Sequence, residues 1–184
     1  MCGSFFDVGG AKVDCGPCAG ISRCDASHQC VIERDPREDN DARARATWLG
    51  ELNDVDNAFL TLDELSIDSL ADEDWFALHV TDGFDAGNPR IQVALDHLAA
   101  RHELAVWFRC DDENLATRAR CSEAAQNTLA DPLLGVGCEI EATELWATIV
   151  PSCTGLADSG TLTFRIRSHV PPRGELYRVR VSVE

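Results

Sequence analysis

Basic residues are scarce in this sequence, which has 16 Lys and Arg against 32 Asp and Glu and a formal net charge of −16. A surface this acidic repels phosphate backbones and anionic lipid headgroups. The sequence also lacks any apolar run near the roughly 20 residues that a transmembrane helix needs. We therefore expect no nucleic-acid partner and no membrane span, while divalent cations, basic proteins and neutral surfaces remain open as partners.

The motifs of common catalytic sites are missing as well. HELAV at 102–106 begins like a zinc-protease helix, but Val106 stands where the second His is needed, and the pattern is that of a strand. There is no Gly-x-Ser-x-Gly nucleophile elbow and no glycine loop to cradle a phosphate. A lone histidine in an alternating strand, such as His79, is typical of a solvated or hydrogen-bonded residue. We expect no enzymatic activity.

A secretory leader is not visible in the first ten residues, MCGSFFDVGG, which have neither a basic nor an apolar segment. The nine cysteines nevertheless argue against a reducing compartment, which rarely retains such a set except for metal or redox work. We therefore expect an extracellular or cell-surface chain that belongs to a longer secreted protein or whose start has been trimmed.

The cysteines form two groups, separated by 79 residues without any. The first group is Cys2, Cys15, Cys18, Cys24 and Cys30. The second is Cys110, Cys121, Cys138 and Cys153. Because five is odd, one early thiol is free, pairs elsewhere or lacks its partner. In the second group we predict that neighbours pair, Cys110 with Cys121 and Cys138 with Cys153, since closing a loop of about 15 residues contributes roughly 3 kcal/mol.

The stretch Cys15-Gly16-Pro17-Cys18 has the spacing of a thioredoxin redox centre. Such a centre needs its motif at the start of a helix that follows a buried strand, because the helix N-terminus lowers the thiolate pKa. Neither element is indicated here. A zinc site is the other alternative, but the spacing C-x2-C-x5-C-x5-C is too evenly compact for two zinc knuckles. We predict structural disulfides, with zinc and redox chemistry as the alternatives.

The same segment resembles the small Cys-rich modules of large secreted bacterial proteins. The matching features are Cys2-Gly3, Gly9-Gly10, Cys15-Gly16-Pro17-Cys18, Cys24 and Cys30. Val8 stands where the pattern usually has a cysteine, which explains the odd count. The resemblance implies a disulfide-stapled module over residues 1–32 and says little about its function.

Residues 33–46, ERDPREDNDARARA, are highly charged and indicate a solvated linker at the start of a second domain over 47–184. From about residue 56 the sequence alternates as half-buried strands do. The clearest apolar rows are Leu162, Phe164 and Ile166, and then Tyr177, Val179, Val181 and Val183. We predict one strand over 139–150 and a long loop over 111–135. Seven or eight short strands between Gly and Pro turn signals predict an antiparallel, jelly-roll-like β-sandwich.

A second resemblance covers roughly residues 38–184 and concerns the bacterial pre-peptidase C-terminal domain. The segments that carry it, in order, are Asn40-Asp41, Ala46, Leu49-Gly50, Asp72-Glu73-Asp74-Trp75-Phe76 and Tyr177. The resemblance implies a jelly-roll-like β-sandwich that accompanies secreted hydrolases without being catalytic. It also implies that Ca²⁺ can bind near the start of the domain, as it does in some members.

Residue chemistry supports this calcium hypothesis, because Ca²⁺ takes six to eight oxygen ligands. The candidate ligands are Glu38, Asn40, Asp41, Asp72 and Asp74. Asp72 and Asp74 are two residues apart at a strand start and therefore share a face. The alternative is that these acids are solvated, with Asp41 capping a turn and Asp74 accepting backbone hydrogen bonds.

Four tryptophans remain to be placed: Trp48, Trp75, Trp107 and Trp146. We expect most of them in the core, although Trp residues also serve in faces that bind glycans or proteins. The resulting hypothesis is a secreted, non-catalytic accessory module that targets, anchors or stabilises a larger extracellular protein, with a protein or glycan ligand and Ca²⁺ as a cofactor. The alternatives are a purely structural surface domain and a redox protein that uses Cys15 and Cys18.

Overall fold

The computed structural model describes ten stretches of the chain: 2–18, 22–32, 34–83, 87–96, 101–112, 118–122, 127–142, 145–154, 158–170 and 176–184. Within them the protein is nearly all β, with two short 3-10 turns at Arg43–Arg45 and Asp54–Asp56. The N-terminal strands are β1 Ser4–Phe6, β2 Lys12–Asp14, β3 Ser22–Cys24 and β4 Cys30–Ile32. The strands that follow are β5 Thr47–Asn53, β6 Phe59–Ser66, β7 Glu73–Thr81, β8 Ile91–Asp96, β9 His102–Cys110, β10 Arg118–Cys121, β11 Asn127–Asp131, β12 Gly135–Ala142, β13 Leu145–Ser152, β14 Gly160–Ser168 and β15 Leu176–Val183.

The N-terminal segment has almost no hydrophobic core. Its strands form two separate antiparallel ribbons, β1 with β2 and β3 with β4. Cys2 is the one buried residue among the described positions from 2 to 32. The disulfides Cys2–Cys24 and Cys18–Cys30 cross-link the segment. Because a two-stranded ribbon is marginal in water by itself, these bonds supply the constraint that buried apolar surface supplies elsewhere.

Residues from β5 onward form a sandwich of two sheets, as the sequence predicts. One sheet has five strands in the order β10-β13-β8-β15-β6, and the other has six in the order β11-β12-β9-β14-β7-β5. Neighbouring strands are antiparallel, except that β5 runs parallel to β7 at the edge of the larger sheet. The parallel β5 escaped prediction because Gly50, at φ +97°, and a register shift between Trp48 and Glu51 break its alternation.

The core lies between the two sheets and contains 25 buried residues among those that the structure describes. Both apolar rows predicted for β14 and β15 are confirmed, since all seven of their members are buried. Phe76 of β7 and Phe164 of β14 stack at the centre with their ring centroids 5.1 Å apart. The alternating pattern therefore identified the inward faces of these strands correctly.

Two predictions about the region around residues 111–150 were wrong. The stretch 139–150 is divided between β12, in the six-stranded sheet, and β13, in the five-stranded sheet. No Gly or Pro separates β12 from β13 in the sequence, so the alternating pattern of apolar residues runs without a break between the two strands. The predicted loop 111–135 contains β10 and β11, which are short strands at the sheet edges. Edge strands need few buried residues, so their sequence signal is weak.

The disulfides of the sandwich also differ from the prediction. Cys110 bonds to Cys153 and Cys121 bonds to Cys138, instead of Cys110 to Cys121 and Cys138 to Cys153. The predicted pairs would also have crossed between the sheets, because β9 and β12 lie in one and β10 and β13 in the other. The nested pairing follows from which strands face each other: the end of β9 lies opposite the end of β13, and β12 lies opposite β10. Both bonds consequently join the two sheets, with Cα–Cα distances of 5.9 and 5.8 Å.

Candidate metal centre at the start of the sandwich

The segment that leads into the sandwich is held against the start of β7. Trp75 donates its backbone N–H to the Asn40 carbonyl oxygen at 3.2 Å, and the Asn40 side-chain amide donates to the Trp75 carbonyl at 3.4 Å. Asn40 is completely buried by this pairing. The two bonds bring Glu38 and Asp41 beside Asp72 and Asp74, so the five residues proposed from sequence meet at one place.

Three more acidic residues complete what we call the acidic cluster: Asp35, Asp39 and Asp68. Glu38 is common to three groups of carboxylates, and within each group the nearest oxygens lie within 4.8 Å of one another. The groups are Asp35-Glu38-Asp74, Glu38-Asp68-Asp72 and Glu38-Asp39-Asp41. The acidic cluster thus converges on the Glu38 carboxylate.

Several inner oxygens of the acidic cluster are buried without a hydrogen-bond partner among the described residues. They are both carboxylate oxygens of Glu38 and one side-chain oxygen each of Asn40, Asp72 and Asp74. Asp72 is 3% exposed and Asp74 is 0% exposed. A buried acceptor that is left unpaired costs roughly 1–3 kcal/mol, and more when it is charged. The five unpaired oxygens of the acidic cluster therefore add a cost to the free energy of folding.

The remaining oxygens of Asp72 and Asp74, and both oxygens of Asp35, accept hydrogen bonds. Asp72 Oδ2 accepts the backbone N–H of Asp68 at 2.5 Å, and Asp74 Oδ2 accepts the Tyr177 hydroxyl from β15. Asp35 accepts the backbone N–H of Ser66 at 2.9 Å and that of Arg37 at 2.6 Å. Each of these carboxyl groups is consequently held in one orientation, and Asp72 and Asp74 leave a second oxygen free.

The acidic cluster shifts the titration of its inner members. Burial raises the pKa of Glu38 to about 8, helped by the neighbouring charge of Asp72 and by the Asp41 carboxyl group. Burial raises the pKa of Asp72 to about 7 against the opposing effect of the Asp68 N–H. Burial also raises the pKa of Asp74 well above its ordinary range, although the Tyr177 hydroxyl bond opposes the shift. Without a cation, the acidic cluster therefore retains protons at neutral pH.

The positive charge near the acidic cluster lies on its outer side. Arg34 contacts Asp68 at 3.2 Å, Asp41 at 3.7 Å and also Asp39, and the Arg34 side chain is half exposed. Arg45 contacts Asp41 at 3.6 Å. Among the described residues, no Arg or Lys side chain forms an ion pair with the buried oxygens of Asp72 or Asp74. The carboxyl groups of Asp72 and Asp74 thus lack a cationic partner among the described residues, in keeping with their raised pKa values.

This donor set suits a hard divalent cation. Ca²⁺ is coordinated by carboxylate, amide and carbonyl oxygens, and the acidic cluster offers the first two kinds. Nitrogen and sulfur ligands, which Zn²⁺ prefers, are absent from the described members of the acidic cluster. Mg²⁺ retains most of its water and rarely takes an all-protein cage. The residues present therefore match Ca²⁺ best.

Sequence reasoning missed Asp35, Asp39 and Asp68 as members of the acidic cluster. Asp35 lies directly before Pro36 in the charged linker, and its carboxylate groups with those of Glu38 and Asp74. Asp68 precedes Asp72 by four residues in a tight loop, and this spacing was an available signal. The roles that the solvated alternative gave to Asp41 and Asp74 also differ from those in the structure. Asp41 forms ion pairs with Arg34 and Arg45, and Asp74 accepts a hydrogen bond from a side-chain hydroxyl.

The other candidate sites are resolved as follows. Cys18 bonds to Cys30, and Cys15 has a free thiol, so the Cys-x-x-Cys pair is not a disulfide and Cys15 is the cysteine left over. His79 is hydrogen-bonded as predicted, with Nε2 at 2.9 Å from Asp111 Oδ2. Two other features of the sequence, His97 and the Pro171-Pro172-Arg173-Gly174 turn signal, lie outside the described residues.

Two tryptophans are buried and two are exposed, so the expectation that most of them pack in the core was wrong. Trp75 and Trp107 stack at 5.6 Å on the outer side of the six-stranded sheet, where Arg165 covers both rings. Trp48 is 60% exposed and Trp146 is 44% exposed. The helical parts of the described chain include no segment with the length and apolar character of a membrane span.

Comparison with known proteins yields no family whose pattern matches this chain, and no curated protein that matches it significantly. The two resemblances noted from sequence therefore remain predictions about ancestry. The functional argument rests on the residues themselves.

Proposed function

We propose that this chain is a non-catalytic accessory module of a larger extracellular or surface protein, and that Ca²⁺ bound by the acidic cluster stabilises its sandwich. Four disulfides favour an oxidising compartment. The ion lies between the linker and the start of β7, so its binding fixes how the chain enters the sandwich. The competing proposal is a structural domain without any ligand, which the cross-sheet disulfides also support.

The observation that carries the calcium proposal is the set of five buried, unpartnered oxygens on Glu38, Asn40, Asp72 and Asp74. Folding brings these groups together at a cost, because burial and mutual repulsion disfavour their charged forms. A divalent cation offsets that cost, because the oxygens that receive no hydrogen bond coordinate it. A purely solvated group of acids would expose these oxygens to water instead of burying them.

Calorimetric titration with CaCl₂ and thermal unfolding with CaCl₂ or EDTA test the calcium proposal. We expect a heat of binding and a higher melting temperature. A hundredfold excess over Kd contributes about 2.7 kcal/mol, which corresponds to roughly 5–10 °C for a domain of this size. The absence of both effects at millimolar Ca²⁺ would refute the proposal.

Neutral substitutions separate ion binding from general damage. Glu38→Gln and Asp74→Asn each keep the side-chain shape and remove a buried charge. We expect Ca²⁺ affinity at least tenfold lower in each variant, while the melting temperature in EDTA stays the same or rises. The matched control is Asp63→Asn, because Asp63 is exposed on β6 and ion-paired with Arg178. Equal loss of affinity in the control would count against the assigned ligands.

The accessory role is tested by retention on a panel of cell-wall and matrix polymers. Retention on at least one of them supports a binding module. Failure on all of them favours the structural alternative and leaves the calcium result unaffected, because calcium binding is measured on the isolated chain.

A further inference from the structure

Arg34 holds a central position on the outer side of the acidic cluster. Its three guanidinium nitrogens each contact a different carboxylate: Nε lies 3.2 Å from Asp68 Oδ2, Nη2 lies 3.7 Å from Asp41 Oδ2, and Nη1 contacts Asp39 Oδ1. Each of those carboxylates also has an oxygen within 4.8 Å of the Glu38 carboxylate, in the groups that could hold a metal ion. The guanidinium therefore occupies carboxylates that a bound cation would also use.

The unpaired inner oxygens of the acidic cluster do not fill a calcium shell by themselves. Five of them are buried without a hydrogen-bond partner among the described residues, whereas Ca²⁺ takes six to eight oxygen ligands. Both oxygens of Asp35 already accept backbone N–H groups. The carboxylates of the acidic cluster that remain to complete the shell are Asp39, Asp41 and Asp68, and Arg34 contacts all three. Water is the other source of ligands.

The ion pairs of Arg34 are exposed enough to be exchanged. The Arg34 side chain is 53% exposed and that of Asp39 is 58% exposed. Exposed ion pairs are weak, and each contributes at most about fivefold to an equilibrium constant. A divalent cation that shared these carboxylates would also lie close to the guanidinium and repel it. Coordination of Ca²⁺ by these carboxylates and retention of the Arg34 contacts therefore oppose each other.

We propose that Arg34 is a tethered counter-ion of the acidic cluster, which Ca²⁺ displaces when it takes oxygens from Asp39, Asp41 and Asp68. In the ion-free protein, the guanidinium reduces the repulsion among these carboxylates. Its contacts are lost on Ca²⁺ binding, so the same residue lowers the affinity for the ion. An internal competitor moves a strongly acidic site toward the Kd values of extracellular modules, about 10⁻⁴–10⁻³ M. The inference rests on the calcium site proposed above and assigns to it an affinity-determining residue.

Calorimetric titration with CaCl₂ of the wild-type chain, Arg34→Gln and Arg34→Lys tests the competition. We expect Arg34→Gln to bind Ca²⁺ about three- to tenfold more tightly than the wild type, because no ion pairs must be broken. Lysine retains the charge at a single point, so the affinity of Arg34→Lys should lie between those two. The matched control is Arg37→Gln, which removes the same charge from the same linker. Among the described residues, none forms an ion pair with the Arg37 side chain.

Thermal unfolding in EDTA separates this role from a purely structural one. Without Ca²⁺, Arg34→Gln should have a lower melting temperature, because the repulsion among the three carboxylates is no longer reduced. A side chain that only supported the fold would, on removal, lower both this melting temperature and the Ca²⁺ affinity. Removing a competitor changes the two quantities in opposite directions.

Displacement of the guanidinium can be observed directly by modifying arginines with phenylglyoxal and mapping the products by mass spectrometry. We expect Arg34 to react faster in Ca²⁺ than in EDTA, with Arg37 as the internal reference. Unchanged reactivity of Arg34 in a chain that binds Ca²⁺ would overturn the inference, because the guanidinium would then stay on its carboxylates while water completes the shell.

The titrations distinguish failure of this inference from failure of the calcium site. Equal or weaker Ca²⁺ binding by Arg34→Gln, relative to Arg37→Gln, would overturn the inference and leave the site in place. Failure of both the wild type and Arg34→Gln to bind Ca²⁺ would reject the site and the inference together. Binding by Arg34→Gln alone would support the inference, with Arg34 excluding the ion, and would reject the calcium role proposed for the native chain.

Discussion

The N-terminal segment and the sandwich reach a defined structure by different means. Among the described positions from 2 to 32 one residue is buried, and two disulfides connect the ribbons. The sandwich has 25 buried core residues and a further two disulfides. Covalent bonds therefore replace hydrophobic burial in the small segment, whereas they supplement it in the large one.

The comparison can be measured because all four tryptophans lie in the sandwich. Tryptophan fluorescence therefore reports on unfolding of the sandwich alone. Amide hydrogen exchange, read by mass spectrometry, reports on residues 2–32 separately. Each change below is expected to affect one region and leave the other nearly unchanged.

The largest effect is expected from Phe164→Ala. Phe164 is fully buried between the sheets and stacks on Phe76, so its removal leaves a cavity as well as losing apolar contact. The expected cost is about 3–5 kcal/mol of unfolding free energy, measured by denaturant titration of tryptophan fluorescence. Protection of amides in residues 2–32 should be unchanged. Parallel loss of that protection would show that the two regions unfold together.

A somewhat smaller effect is expected from the double substitution Cys18→Ser and Cys30→Ser. Removing a native disulfide from a small domain costs about 2–5 kcal/mol, and this segment has little burial to compensate. We expect amides of residues 2–32 to exchange freely while the fluorescence transition stays in place. Cys15→Ser is the control, because Cys15 forms no disulfide. Retained amide protection in the double variant would mean that hydrogen bonds keep residues 2–32 folded without this disulfide.

The smallest effect concerns pH and should appear in the sandwich alone. The native pKa values of Glu38, Asp72 and Asp74 are raised, so the unfolded state loses their protons at lower pH than the native state does. The contribution of Glu38 and Asp72 to stability is fully present near pH 4 and is lost as pH rises through about 7–8, and the contribution of Asp74 changes with pH in the same direction. In EDTA, the fluorescence melting temperature should therefore fall between pH 5 and pH 8.5.

Saturating Ca²⁺ should suppress this decline, because the bound ion holds the carboxylates in their charged forms. Glu38→Gln should flatten the pH profile in EDTA, whereas Asp63→Asn should leave its slope unchanged. A melting temperature that rises over this pH range in EDTA would contradict the assigned pKa directions.

Sequence determined the inward faces of β14 and β15 because burial there follows strict alternation. It also brought forward five members of the acidic cluster. Asp72 and Asp74 share a face at a strand start, and Glu38, Asn40 and Asp41 lie at the domain entry, where the resemblance implies calcium binding. Sequence could not supply Asp35, whose membership depends on how the linker folds over Glu38, whereas the spacing of Asp68 and Asp72 offered a local signal. The pairing of Cys110 with Cys153 was not accessible from sequence, because it depends on which strand of one sheet faces which strand of the other. Pairing across sheets is a property of topology, which local patterns do not encode.

The two cross-sheet disulfides have a mechanical consequence. The Cys121–Cys138 loop is nested inside the Cys110–Cys153 loop, so a pulling force on the chain passes directly from Cys110 to Cys153. The intervening 43-residue separation, about 150 Å of extended chain, is shielded from tension. In a surface protein exposed to flow, this module would lengthen far less than its residue count implies. Single-molecule extension before and after reduction would differ by that hidden length.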